Sequence, residues 1–318
     1  MIHSKKMGLW LAAILGVLAI EPKPSDAVVN IQNIGAGARS AALGNSFVAV
    51  ADNSDAVFAN PAGLGLIDTR QIAYTNVSLL FSGIDGDNLG QHVASYVQPL
   101  GAKLGFGLGF ERIGSDLMSE NGAFVSLAYK LSRNLQLGLT GKYLFWSVGT
   151  IPNDPVSGAP DPLSSSSNGA LGVDLGLMWK SPIQGAQVGV LVKNVNQPNV
   201  AKTTIAGDAD AGKVPMDLHV GASYKVGGTS LVSAQWVFRD LSGNDVANRL
   251  VVGGETVLVP GLMVRAGGSK LFETDASGDV TAGLGYVWDK LLFDYSYHIP
   301  LDLTETNGAH RFSLAFQF

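Results

Sequence analysis

From Gln71 to the last residue the sequence alternates apolar and polar positions with a period of two. That is the period of a β-strand with two different faces. In the closing run RFSLAFQF, Phe312, Leu314, Phe316 and Phe318 point one way, and Arg311, Ser313, Ala315 and Gln317 the other. In KLGFGLGFE, Leu104, Phe106, Leu108 and Phe110 stand opposite Lys103, three glycines and Glu111. In MDLHVGASYKV, Met216, Leu218, Val220, Ala222 and Tyr224 stand opposite Asp217, His219, Gly221, Ser223 and Lys225. One face is apolar and aromatic throughout; the other is small, polar or charged.

A soluble sandwich would turn the apolar faces into a core. A membrane barrel would turn them to lipid and line its lumen with the polar face. Three features favour the barrel. The segments have the length a tilted strand needs to cross a bilayer. Aromatics such as Tyr143, Phe145, Trp146, Trp179, Tyr286 and Trp288 gather near segment ends, as an interfacial girdle would. The connections alternate between short turns and long polar loops.

The expected fold is therefore all-β: a transmembrane antiparallel β-barrel of about 14 strands. The expected strands are 71–80, 91–99, 103–112, 122–131, 135–146, 168–180, 186–194, 214–226, 230–239, 248–258, 262–270, 279–288, 291–299 and 310–318. An even number places both ends on the side of the short turns, the periplasmic side. The run GSDLMSENGA between the third and fourth strands is expected to be one of the long external loops. The terminal Phe316 and Phe318 resemble the signal read by the barrel assembly machinery.

Composition narrows the function. There is no cysteine, which excludes disulfides, thiolate metal sites and a lipoprotein anchor. A net charge of −5 gives no reason to expect nucleic acid as a partner. No phosphate loop, metal cluster or nucleophile elbow is present, so no enzyme activity and no cofactor are expected. Asp217, His219 and Ser223 share one strand face, but successive residues on a face lie about 6.5–7 Å apart, too far for a relay. The acidic runs at 85–88 and 208–210 lack the ligand spacing of a calcium loop, and the serines at 164–167 read as a loop.

The chain is expected to have three parts. Residues 1–27 read as a signal peptide: Lys5 and Lys6, a short apolar run at 9–20, then Ser25 and Ala27 at the cleavage positions. Residues 67–318 form the barrel. Between them, 28–66 is too glycine-rich for an isolated helix and too irregular for a strand. Irregular backbone cannot lie in lipid. A barrel of this size is wider than the eight-strand size that side chains fill, so the segment is expected to plug the lumen, where inward glycines leave room. Asn60-Pro61 reads as a helix start. Asp52 and Asp55 are expected to face lumen bases such as Lys142 or Arg265. The candidate positions are thus Asp52, Asp55, Asn60, Pro61, Ala62 and Gly63 in the segment, with Lys142, Asp217, His219 and Arg265 on the lumen wall.

The stretch 37–65, GARSAALGNSFVAVADNSDAVFANPAGLG, resembles the N-terminal signature of the FadL/PorV superfamily of outer-membrane barrels. The matching pieces are Gly37-Ala38-Arg39, Ala49-Val50-Ala51-Asp52 and Asn60-Pro61-Ala62-Gly63-Leu64. The chain reads Leu43-Gly44-Asn45-Ser46 where the family usually has MGGA. Its length is closer to the PorV/PorQ branch than to the fatty-acid channels. The resemblance implies a barrel in the outer membrane of a Gram-negative-type bacterium, in contact with its lipid. It implies binding of a partner or cargo protein in type IX-like secretion, or of a hydrophobic ligand. The alternative is FadL-like transport of long-chain fatty acids or other hydrophobic small molecules.

Overall fold

The computed structural model describes residues 36–79, 90–115, 117–153, 158–159, 164–201, 212–241, 246–272, 278–301 and 308–318. The expected signal peptide, the first residues of the 28–66 segment and the acidic runs at 85–88 and 208–210 lie outside them.

Among the described residues three short helical pieces come first: α1 (Ala38–Ala42), α2 (Ala56–Ala59) and a 3-10 helix (Pro61–Leu66). Fourteen strands follow. They are β1 (Gln71–Leu79), β2 (Gly90–Leu100), β3 (Leu104–Gly114), β4 (Met118–Lys130), β5 (Leu135–Val148), β6 (Ser167–Lys180) and β7 (Ala186–Lys193), then β8 (Asp217–Val226), β9 (Ser230–Arg239), β10 (Ala247–Val259), β11 (Leu262–Leu271), β12 (Gly278–Trp288), β13 (Leu291–Pro300) and β14 (Ala309–Gln317). Each pairs antiparallel with its sequence neighbours, and β1 pairs with β14, so the sheet closes into a barrel. Closure continues one step past the strands, where Arg70 and Phe318 exchange backbone hydrogen bonds of 3.2 and 3.0 Å.

The pairing register puts like with like. Phe293, Leu314 and Tyr74 lie side by side on the outer wall. Some inner-wall polar groups pair across strands, as in the hydroxyl pairs Thr75–Ser313 at 2.6 Å and Ser126–Thr140 at 2.7 Å. Large apolar residues are exposed on the outside, Leu314 at 46% and Phe312 at 57% among them. This is the inverse of a soluble core and the surface lipid requires.

Two details depart from expectation. The run GSDLMSENGA is mostly strand: the β3–β4 ladder continues to Gly114↔Ser119, and Ser115 N–H closes the turn on the Met118 carbonyl at 2.8 Å. Ser119 and Asn121 continue the outward face of Ala123 and Val125 beyond the apolar band, so polarity there marks height rather than a loop. Pairing between β6 and β7 is short, from Leu175↔Val192 to Lys180↔Gln187. Beyond it, the Asn196 side chain stands in for a strand. Its Oδ1 accepts from Val173 N–H at 2.9 Å, and its Nδ2 donates to the Leu171 carbonyl at 2.8 Å.

The apolar core lies in the lumen. It joins Leu43, Phe47, Val50, Val57 and Leu64 of the N-terminal segment to wall residues Val97, Phe124, Met178 and Leu231.

Candidate functional site

Residues 36–66 pack against the inner wall, and two features of the wall allow it. The first is absence of side chains. A Cβ at Gly105 would collide with the Leu64 carbonyl, at Gly138 with the Ala62 nitrogen, at Gly189 with the Val48 carbonyl and at Gly253 with the Leu43 carbonyl. Segment backbone therefore lies directly on wall backbone. The second is polar satisfaction, which buried irregular backbone demands. Gln235 Oε1 accepts from the N–H groups of both Phe47 and Val48, at 3.1 and 3.0 Å. Ala49's carbonyl accepts from Gln187 and Ser223, each at 2.8 Å. Ala38 N–H donates to Ser313 at 2.9 Å, and Thr281 donates to the Ala42 carbonyl at 3.1 Å.

Asn60 is the junction, fully buried. Its Oδ1 caps the 3-10 helix by accepting from Ala62 N–H at 3.1 Å. Its Nδ2 donates to the Val48 carbonyl at 2.8 Å and to the Leu177 carbonyl at 3.1 Å, with Val190's carbonyl at 3.4 Å. Leu177 and Val190 are register partners of β6 and β7. One side chain thus starts a helix, ties the segment to itself and fastens it to the strand seam. Pro61 supplies the fixed φ of a first helical position, and Pro61, Ala62 and Gly63 are buried against the wall.

A chain of ion pairs crosses from segment to wall. Asp52 binds Arg39 within the segment. Arg39 reaches Glu255 on β10 with both Nε and Nη2, at 2.9 and 3.0 Å. Glu255 also binds Arg265 at 2.6 Å, and Arg265 binds Asp294 at 2.6 Å. Asp52 therefore does not contact Lys142 or Arg265 directly, as the sequence led us to expect. Arg39 intervenes, and Arg265 is held by two wall carboxylates. Lys142 is occupied by Asp174 at 2.7 Å. Burial alone would lower the Arg39 guanidinium's affinity for its proton; the charges of Asp52 and Glu255 reverse this and hold it well above its usual value.

Asp55 has no ion-pair partner within contact distance among the described residues. Its carboxylate sits over Gly37, where a Cβ would overlap it. Burial, then the charge of Asp294, pushes its pKa up to about 6, against the opposing pull of Arg39 and hydrogen bonds from Asn53 and Ser40.

The remaining candidates stay apart. Asp217 accepts from Asp240 N–H at 3.0 Å, His219 Nδ1 meets Gln235 at 3.0 Å, and Ser223 is committed to Ala49. No relay joins them. Phe316 and Phe318 stack with centroids 5.6 Å apart on the outer face. Among the described residues no group of three or more histidines and carboxylates could hold a metal ion.

A cavity between segment and wall is lined by Phe47, Val48, Phe58 and Phe124 and by the polar side chains of Asp55, Glu111, Lys142, Asp174, Lys193, His219, Arg239 and Arg249. Phe58 of α2 meets Phe124 of β4 edge to face, centroids 5.0 Å apart. Sequence reasoning missed Arg39, Glu255, Phe47 and Phe58 as site residues. Arg39 lay in the quoted motif, but nothing local says which strand it faces.

No family model matches the chain, and no curated protein does. Solved structures do. The toluene transporter TodX of P. putida superposes with a TM-score of 0.66 at 15% identity, over 89% of this chain and 99% of that one. CymD, a monoaromatic hydrocarbon channel, gives 0.67 at 14% identity, over 90% and 98%. A Pseudomonas aeruginosa FadL homologue gives 0.54 at 15% identity, over 89% and 98%. At these identities the likeness is one of fold: the chain shares the closed fourteen-strand antiparallel barrel of these outer-membrane proteins.

Proposed function

We propose that this chain is an outer-membrane channel for hydrophobic compounds, with 1–27 as its signal peptide, 28–66 as a lumen plug and 67–318 as its barrel. The observation that carries the reading is the cavity in which Phe47 and Phe58 of the segment meet Phe124 of the wall, beside charged groups such as Glu111, Lys142 and Lys193. The three rings favour a solute with apolar surface. The likeness to TodX, CymD and the FadL homologue supports this reading over the partner-binding, PorV/PorQ-type expectation, which rests on the 37–65 motif and the chain length. In this reading the segment bars water and ions, and Asp52, Asp55, Asn60 and Pro61 hold it in place. The terminal Phe316 and Phe318 serve recognition by the assembly machinery.

The test is uptake of labelled toluene and of oleate by cells whose own channels for these compounds are deleted. Expression should raise uptake of at least one of them several-fold. Phe58→Asp with Phe124→Asp should return it toward the vector level. A barrel that labels at the cell surface yet leaves uptake of both compounds at the vector level would overturn the reading.

A further inference from the structure

The outer wall of β1–β6 is not evenly filled. Across one register row, Tyr74, Ala94, Phe110, Ala123 and Tyr143 alternate large with small. In the next row Leu108 and Val125 lead to Gly141, where an added Cβ would meet nothing within 4 Å. The result is an outward groove with Ala94, Ala123 and Gly141 as floor and Phe110, Tyr143 and Leu108 as flanks. One row above, toward the strand ends joined by the 80–89 connection, three polar residues stand side by side: Asn76, His92 and Arg112. His92 and Arg112 are exposed, and Arg112 has no ion-pair partner among the described residues. His92 Nδ1 lies 2.7 Å from the Tyr74 hydroxyl and 3.3 Å from Asn76 Nδ2. With both donating to Nδ1, the imidazole carries its proton on Nε2 and keeps that N–H for another partner.

We propose that this groove is a binding site for one membrane lipid, an acyl chain lying over Gly141 and the lipid phosphate held by Arg112 and His92. The inference rests on the outer-membrane placement proposed above. Apolar contact alone selects no lipid, because a barrel wall meets acyl chains everywhere. The head supplies the selection. Arg112 offers a two-pronged donor that matches phosphate oxygens, and His92 Nε2–H adds a third. A guanidinium on the lipid-facing wall is tolerable near the end of the strands, at headgroup height, and costly at the midplane.

The experiment is native mass spectrometry of the full-length mature barrel in mild detergent, with phosphatidylglycerol or diacylglycerol of identical chains added. One phosphatidylglycerol should stay bound under conditions that strip diacylglycerol. Arg112→Gln with His92→Gln should lower its retention roughly five- to tenfold, and Arg112→Lys should give an intermediate value. Gly141→Phe should displace the lipid while Arg112 and His92 remain. Each variant's fold is read by the heat-dependent gel shift of a closed barrel, and any that fails to close is replaced by Ala94→Phe. Equal retention of the two lipids, or equal retention by wild type and all folded variants, overturns the site. Insertion into vesicles, read by protection from protease, tests the membrane placement separately: a barrel that inserts but retains both lipids equally removes this site and leaves that placement standing.

Discussion

Arg39 grips Glu255 with both prongs of its guanidinium, joining α1 to β10 across 216 positions of sequence. Each side chain is about one-seventh exposed, at 14% and 13%. Arg39→Ala would leave Asp52 without its partner and Glu255 with Arg265 alone. The cost should fall below the roughly 3–5 kcal/mol of a buried pair broken from one side, because Glu255 stays paired. The barrel should still close, since strand pairing does not involve Arg39. The loss should fall on docking of the segment, seen as faster amide hydrogen exchange in α1 and an ionic leak in planar bilayers. Unchanged exchange in α1 would contradict this.

Asp55 should make docking depend on pH. Its pKa of about 6 in the docked segment exceeds that of a solvated aspartate. A raised carboxyl value means the docked state binds the proton more tightly. Docking is then strongest below about pH 4. It weakens as pH rises toward 6 and is level above that. The span is on the order of 3 kcal/mol. Conductance measured from pH 4 to pH 7 should rise through this window in wild type and stay flat in Asp55→Asn. A profile that Asp55→Asn leaves intact would assign the dependence elsewhere.

Wall glycines should differ sharply by the face they serve. Gly138→Ala drives a methyl group into the Ala62 backbone, and Gly253→Ala does the same at Leu43. Overpacking of this kind costs about 1–3 kcal/mol, again borne by segment docking. Gly141→Ala, on the outer face, should be close to neutral. Hydrogen exchange of residues 36–66 in the three variants separates them; a shared response would mean the wall yields.

The facing of the strands gives a fourth expectation. Leu314 lies outward beside Tyr74 and Phe293, and Gln317 faces inward at the strand end. Leu314→Arg should cost roughly 2–4 kcal/mol if it lies near the midplane, and Gln317→Arg far less. Folding titrations into lipid vesicles measure both. Cysteines at Ser165 and Thr229, both exposed and on opposite ends of the barrel, fix the orientation. Ser165→Cys should react with an impermeant maleimide on intact cells and Thr229→Cys should not.

The strands were legible because alternation is a local signal. β9 runs Ser230–Arg239, the span its pattern gives, and most other strands end within a residue or two of theirs. The β3–β4 hairpin was misread because Ser119 and Asn121 are polar beyond the apolar band of the outer face, and polarity was taken for a loop. The segment's small residues and its Asn60-Pro61 helix start were legible for the same local reason. Its ion partners were not. Asp52 chose Arg39, thirteen residues away, over the wall bases. Lys142 was already taken by Asp174, a neighbour on the adjacent strand, as their shared inner face and the β5–β6 register permit. Which inner-wall positions a lumen segment meets depends on how it folds back, and no period in the sequence carries that.

Because Gly105, Gly138, Gly189 and Gly253 touch the segment's main chain first, tolerance to change should be distributed unevenly across these contacts. At Leu43, Val48 and Ala62 it is the carbonyl or amide that meets the wall, and every amino acid other than proline carries both. At these contacts the segment answers through atoms all residues share, while the Leu43 and Val48 side chains are buried as well. Gly138, Gly189 and Gly253 answer through the one hydrogen that no other residue has. A saturation library of this chain should therefore find these wall glycines among its narrowest positions, since nothing larger than a hydrogen fits between the two main chains.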